Sequence, residues 1–316
     1  MPAMPMVSIG THRFFTSISG PPRAPHDPLV VVLAGAGDVA SSYTALTPLV
    51  ARFARVFLYD RTGLGHSDPR PDPPRWASTA VRAAEELHSL LQATNLQPPL
   101  VLVAHSYGAV VAREYVHLYD DEVAGLVLAD GSTERQCDYF QLPDPNITAV
   151  LGALKVAQVT GLRADAQLTR DEWRDRAIDI ARGAAAAQAE AESYVDVCRT
   201  LAEKHQFQRQ ALGDRPVSVI RCNSARDFER IYEAGVAVGN GTTTQRQAFR
   251  ELLDRWDSID QELKEEQLRL SSTTHFVHLP DCGHNVHLIR PDVVADEVQW
   301  VIDHLQSRRG NDAVKL

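Results

Sequence analysis

Apolar positions along this chain follow two alternating rhythms. Leu29–Leu33, Val56–Tyr59, Leu100–Ala104 and Val123–Ala129 are short, nearly continuous apolar runs that read as strands, and Pro216–Ile220 and Thr274–Leu279 supply two more. Between them, apolar residues recur at three- and four-residue steps over Ser42–Phe53, Ser78–Thr94, Tyr107–Leu118 and Pro291–Gln306, which predicts helices. Strands apolar on both faces and separated by helices predict an α/β fold with a mostly parallel sheet covered on each side. An opening hairpin from Val7–Ile9 and Arg13–Ile18, joined on through the Pro-rich stretch Gly20–Pro28, precedes this alternation.

Two segments depart from the rhythm. Residues 131–214 read as almost wholly helical, and Thr169-Arg-Asp-Glu172 is a capping-box pattern opening an Ala-rich helix. An insertion there would sit over the strand ends as a lid, leaving residues 1–130 and 215–316 as the core. Residues 223–274 form a second long connection in which Phe249, Leu252, Leu253, Trp256, Ile259 and Leu263 make a helical stripe. That stripe predicts core packing and leaves a homodimer contact as a second reading.

Composition narrows the class. With 44% hydrophobic and 23% charged residues the chain is an ordinary globular protein, and 316 residues accommodate one large domain with an inserted subdomain. A formal charge of −9, with no Lys/Arg block, argues against nucleic acid or an anionic membrane surface as partner. No apolar run approaches membrane-spanning length, and the N-terminus lacks the basic start and apolar core of a signal peptide. Cys137, Cys198, Cys222 and Cys282 are widely spaced with no C-x-x-C pair, which suggests reduced thiols in a cytoplasmic protein and no zinc site. The last residues, Val314-Lys-Leu316, faintly resemble a peroxisomal tripeptide but lack its serine.

The chemistry concentrates at one turn. In Ala104-His-Ser106-Tyr-Gly108 a serine stands between an apolar strand and a periodic helix, a variant of G-x-S-x-G with alanine at the first small position. Such a turn exposes the hydroxyl and aims the free N–H groups of a helix N-terminus at whatever binds there. A serine nucleophile needs a base, and the base needs an orienting carboxylate. Among twelve histidines, His284 has the right setting, on the loop after the last strand and before the final helix. His105 and His287 read as structural neighbours. Asp130, at the end of the strand after the nucleophile helix, and Asp227, after the next strand, both satisfy the order serine, acid, histidine. Asp130 is preferred, with Asp227 the competing choice.

Taken with Val30-Val-Val-Leu-Ala-Gly-Ala-Gly37, Tyr59-Asp-Arg-Thr-Gly-Leu-Gly-His-Ser-Asp68, Gly125-Leu-Val-Leu-Ala-Asp130 and Gly283-His284, the chain resembles a serine-dependent α/β-hydrolase over nearly its whole length. It is similar to the lid-bearing branch of esterases, lactonases, carbon–carbon bond hydrolases and iminopeptidases. The resemblance implies oxyanion donors in the Ala36 and Tyr107 backbone N–H groups, where most relatives carry His-Gly in place of Ala34-Gly35. It implies structural roles for Asp60 and Asp68. The family's usual acid position corresponds to Asp227, although the spacing here is about two residues long. The expectation is hydrolysis of a small-molecule ester, lactone or similar carbonyl without metal or organic cofactor. The alternatives are a lyase or retro-Claisen enzyme on the same site, or a ligand-binding relative.

Overall fold

The computed structural model describes residues 5–71 and 79–314, so Ser78 of the predicted second helix, the first residues of the chain and the Lys315-Leu316 end of the C-terminal tripeptide lie outside it. Among the described residues eight strands form one sheet: β1 (Met6–Ser8), β2 (Arg13–Ser19), β3 (Leu29–Leu33), β4 (Arg55–Tyr59), β5 (Leu100–His105), β6 (Val123–Ala129), β7 (Val217–Cys222) and β8 (Thr274–Leu279). Their order is β1-β2-β4-β3-β5-β6-β7-β8. The hairpin strands β1 and β2 join antiparallel, and every pairing from β4 to β8 is parallel.

The apolar runs are continuous because both faces of the sheet are buried. Successive side chains on a strand point to opposite faces. Leu29, Val31, Leu33, Leu100, Leu102 and Ala104 accordingly pack on one side, against the helices Thr79–Ala93 and Gly108–Leu118. Val30, Val32, Val101 and Val103 pack on the other, where Val294, Val298 and Val301 of the helix Pro291–Val314 cover them.

The predicted helix Ser42–Phe53 is broken. Pro48 has no N–H to donate, and its ring would clash with the carbonyl four residues back. The chain makes a 3₁₀ turn over Ala40–Tyr43 and restarts as a short helix over Thr47–Val50, with the proline in its first turn.

Between β6 and β7 the chain runs through short helices, with longer ones at Arg170–Arg182, Ala184–Glu192 and Tyr194–Ala202. The capping box is formed: Thr169 Oγ1 accepts the Glu172 N–H, and the Thr169 N–H donates to Glu172 Oε2 at 2.8 Å. The second connection forms two helices, Ser224–Ala237 and Thr243–Glu266. All six stripe residues of the latter are buried, so the stripe is core. Phe249 and Leu253 meet Ile231 and Val150, which ties this connection to the helix Pro145–Leu151 of the first. The two long connections therefore pack on one another. Among the described residues no helix is long and apolar enough to cross a membrane.

Candidate active site

Ser106 follows β5 directly and has φ +51°, a left-handed conformation that costs a non-glycine residue about 1–2 kcal/mol. The surroundings hold it there. The Ser106 carbonyl accepts the N–H groups of Ala109 and Ser132, at 3.0 and 2.9 Å. A Cβ on Gly108 would stand 2.1 Å from the Leu33 carbonyl oxygen, so the position two after the serine has no room for a side chain. Strained backbone of this kind persists only where the surroundings over-determine it, and it collects at functional sites.

His284 lies on the loop between β8 and the final helix, and its Nδ1 is 2.6 Å from Asp130 Oδ2. Asp130 is itself left-handed, at φ +48°, just past the end of β6, and it is 1% exposed. Asp227 serves a different atom of the same histidine: its Oδ2 accepts the His284 backbone N–H at 2.9 Å. The two aspartates weighed from the sequence thus divide the residue, Asp130 taking the ring and Asp227 the main chain. Asp227 sits so close to the loop that a Cβ on Gly283 would come within 2.4 Å of its carboxylate. Burial pushes the Asp227 carboxyl above its ordinary value.

The other oxygen of Asp130 is also occupied. Oδ1 accepts the Cys222 N–H at 3.2 Å and lies 3.2 Å from Lys264 Nζ. Lys264 is buried on the helix Thr243–Glu266, donates to the Gly131 carbonyl at 2.9 Å, and stands 3.7 Å from Asp260. Arg221 Nε donates to the far oxygen of Asp260 at 2.9 Å, closing a buried chain of alternating charge. Burial alone would raise the Asp130 carboxyl, but the Lys264 ammonium and then the His284 hydrogen bond outweigh it and hold the group below the usual carboxylate range. Sequence reasoning missed Lys264. Its signal was legible, because Trp256, Asp260 and Lys264 step by four along the apolar stripe, placing an acid–base pair on a buried face.

The loop after β3 carries Ala36, the one exposed residue between Val30 and Ala40. Arg61, buried, donates Nη1–H to the Ala34 carbonyl at 2.6 Å and Nη2–H to the Gly35 carbonyl at 2.7 Å. Glu190, on the helix Ala184–Glu192, accepts from Arg61 Nε at 2.7 Å and from the Gly37 N–H at 2.7 Å. The loop is thus gripped from one side by the Arg61 cation and from the helix Ala184–Glu192 by a carboxylate. Neither residue was singled out from the sequence. Asp60 is structural as expected, accepting the Ala40 and His66 N–H groups at 2.7 and 2.9 Å, and Asp68 pairs with Arg13 at 2.8 Å.

Behind the serine, Asp38, His105 and His287 bring one donor atom each within 4.8 Å of one another, all buried. His105 Nε2–H donates to the His284 carbonyl at 2.9 Å, and burial, with His287 and His284 beside it, drives its pKa well below the ordinary value. His287 stacks on Tyr43 and lies 3.2 Å from Asp38. Arg176, 3.5 Å from Asp38, and the Ser42 hydroxyl already share that carboxylate. With its only anion committed to an arginine, this donor set suits a hydrogen-bonded support beneath the His284 loop better than a divalent cation.

Ser106, His284, Asp130, Asp227, Ala36 and Tyr107 all border one cavity of about 370 Å³. Its outer wall is largely apolar, with Phe140 and Phe228 meeting Trp256 edge-on at 4.8 and 5.1 Å between ring centroids.

The chain belongs to the alpha/beta hydrolase family, whose sequence profile matches residues 30–297. It is a hydrolase. An "AB hydrolase superfamily protein" of Gibberella zeae is 27% identical over 92% of this chain and 91% of its own length. A longer protein of Hormonema carpetanum named "Probable transporter efuK" is 31% identical over 98% of this chain, and the chain spans only 44% of it. Among solved structures, a candidate lipase from Acinetobacter baumannii superposes with a TM-score of 0.67 at 15% identity, covering 97% of this chain and 92% of that one. A likeness at that identity is one of fold.

Proposed function

We propose that the protein is a serine hydrolase that cleaves carboxylic esters or lactones through an acyl-enzyme on Ser106. The observation that carries this reading is the strained, cavity-facing Ser106 at φ +51° sharing one cavity with a His284 ring held 2.6 Å from a buried Asp130. In this mechanism His284 takes the Ser106 proton as the hydroxyl attacks the carbonyl carbon, then returns it to the leaving alcohol. Asp130 fixes the imidazole tautomer and offsets the charge of the imidazolium. The Ala36 and Tyr107 N–H groups receive the oxyanion, on a loop whose shape Arg61 and Glu190 maintain. Water activated by His284 then releases the acid. The helices of residues 131–214 act as a lid over the strand ends.

A serine at this position favours attack on a carbonyl. An alkyl-enzyme route to epoxides would place a carboxylate there. The test is turnover of p-nitrophenyl butyrate by the wild type, Ser106→Ala and His284→Ala proteins. The reading expects each variant to lose on the order of 10⁴ or more in kcat. Wild-type protein inert toward esters, thioesters and lactones alike would reject it.

A further inference from the structure

We propose that the cavity is built for uncharged, apolar acyl groups and turns away substrates that carry a free carboxylate; this rests on the ester-hydrolase reading. A carboxylate taken from water into a closed cavity needs a cation to meet it, or it stays out. Among the described residues that border the cavity, Lys264 is the one Lys or Arg. An ammonium has three protons. Those of Lys264 face the Gly131 carbonyl at 2.9 Å, Asp130 at 3.2 Å and Asp260 at 3.7 Å, so none is left for a ligand.

The remaining charges repel an anion. Asp227 and Asp260 border the same space as Asp130, so the wall presents three carboxyl groups and one ammonium, with the Arg221 guanidinium behind Asp260 at 2.9 Å. Two of the neutral polar groups are engaged with the wall itself. The Gln136 side-chain oxygen accepts from the Tyr194 hydroxyl at 2.6 Å, and Ser224 Oγ accepts from Trp256 Nε1 at 2.8 Å. The surface offered to a ligand is largely the apolar one of Phe140, Leu142, Phe228, Ile231 and Trp256. A volume of about 370 Å³ lies at the small end of ligand pockets, enough for a medium-length acyl chain with its leaving group.

The experiment compares p-nitrophenyl hexanoate with mono-p-nitrophenyl adipate, equal in chain length and differing by a terminal carboxylate, with the methyl ester of the latter as a charge-masked control. At pH 8 the hexanoate is expected to exceed the adipate half-ester by at least about 100-fold in kcat/KM, and masking the charge should restore most of the loss. Val156 is 45% exposed and borders the cavity, so Val156→Arg places a guanidinium at its rim without disturbing the core. That variant should narrow the ratio several-fold by raising the half-ester relative to the hexanoate. In parallel, binding of methyl hexanoate and monomethyl adipate to Ser106→Ala reads selection without chemistry. Equal rates or equal affinities for the neutral and anionic members would overturn the proposal. Unequal affinities with no turnover of any ester would uphold the selection and reject the ester-hydrolase reading instead.

Discussion

Lys264 holds the oxygen of Asp130 that His284 leaves free: its Nζ lies 3.2 Å from Oδ1, while the His284 ring lies 2.6 Å from Oδ2. The ammonium keeps this buried carboxyl ionised, so removing it lets Asp130 take up a proton at higher pH. Lys264→Met should therefore move the acidic limb of kcat/KM toward higher pH and lower the plateau by on the order of tenfold. Lys264→Arg, which keeps the charge, should restore the limb more fully than the plateau. A uniform loss with an unmoved pH profile would assign Lys264 to packing alone.

Asp130 and Asp227 both touch His284, through the ring and the backbone N–H respectively. Asparagine at either site preserves shape and removes charge. Asp130→Asn should cost on the order of 10⁴ in kcat, because the imidazole loses the partner that fixes its tautomer. Asp227→Asn retains an oxygen that can accept the His284 N–H, and its cost should stay within about tenfold. Steady-state kinetics on one activated ester distinguishes them, and the reverse order of effects would exchange their roles.

Asp38 opposes its own burial through the His287 contact first, then Arg176 and Ser42, and its carboxyl is held below the usual range. A carboxyl lower in the folded than in the unfolded chain stabilises the fold fully above its unfolded value of about 3.9, and that contribution fades as pH falls toward the folded value. Asp38→Asn should lower stability by about 2 kcal/mol near neutral pH, where it leaves the half-buried Arg176 with the Ser42 hydroxyl but without its carboxylate. Urea unfolding should show this deficit constant above about pH 5 and shrinking below pH 4. A deficit that grows on acidification would contradict the assignment.

The inner strands of the parallel sheet were plain in the sequence because they are apolar on both faces, as Leu29–Leu33 shows by burying all five residues, whereas the edge strand Thr274–Leu279 buries none fully. Ser106 was legible for a local reason, since a strand, a small residue two positions either side and a helix are all written within a few residues. The failure at Ser42–Phe53 came from reading periodicity past Pro48. Glu190 and Arg61 were invisible because they are 129 residues apart and meet only through tertiary structure. Asp130 against Asp227 could not be decided from order alone. The choice depends on which carboxylate faces the ring and which faces the main chain, and both stand close to His284.

Whether Ser106 acts as a nucleophile activated by His284 is read by intact-mass measurement after incubation with a fluorophosphonate. One covalent adduct is expected on the wild-type protein, located at Ser106, absent from Ser106→Ala and formed far more slowly by His284→Ala. A wild-type protein that stays unmodified under conditions that label a control serine hydrolase, or an adduct that persists in Ser106→Ala, would contradict it.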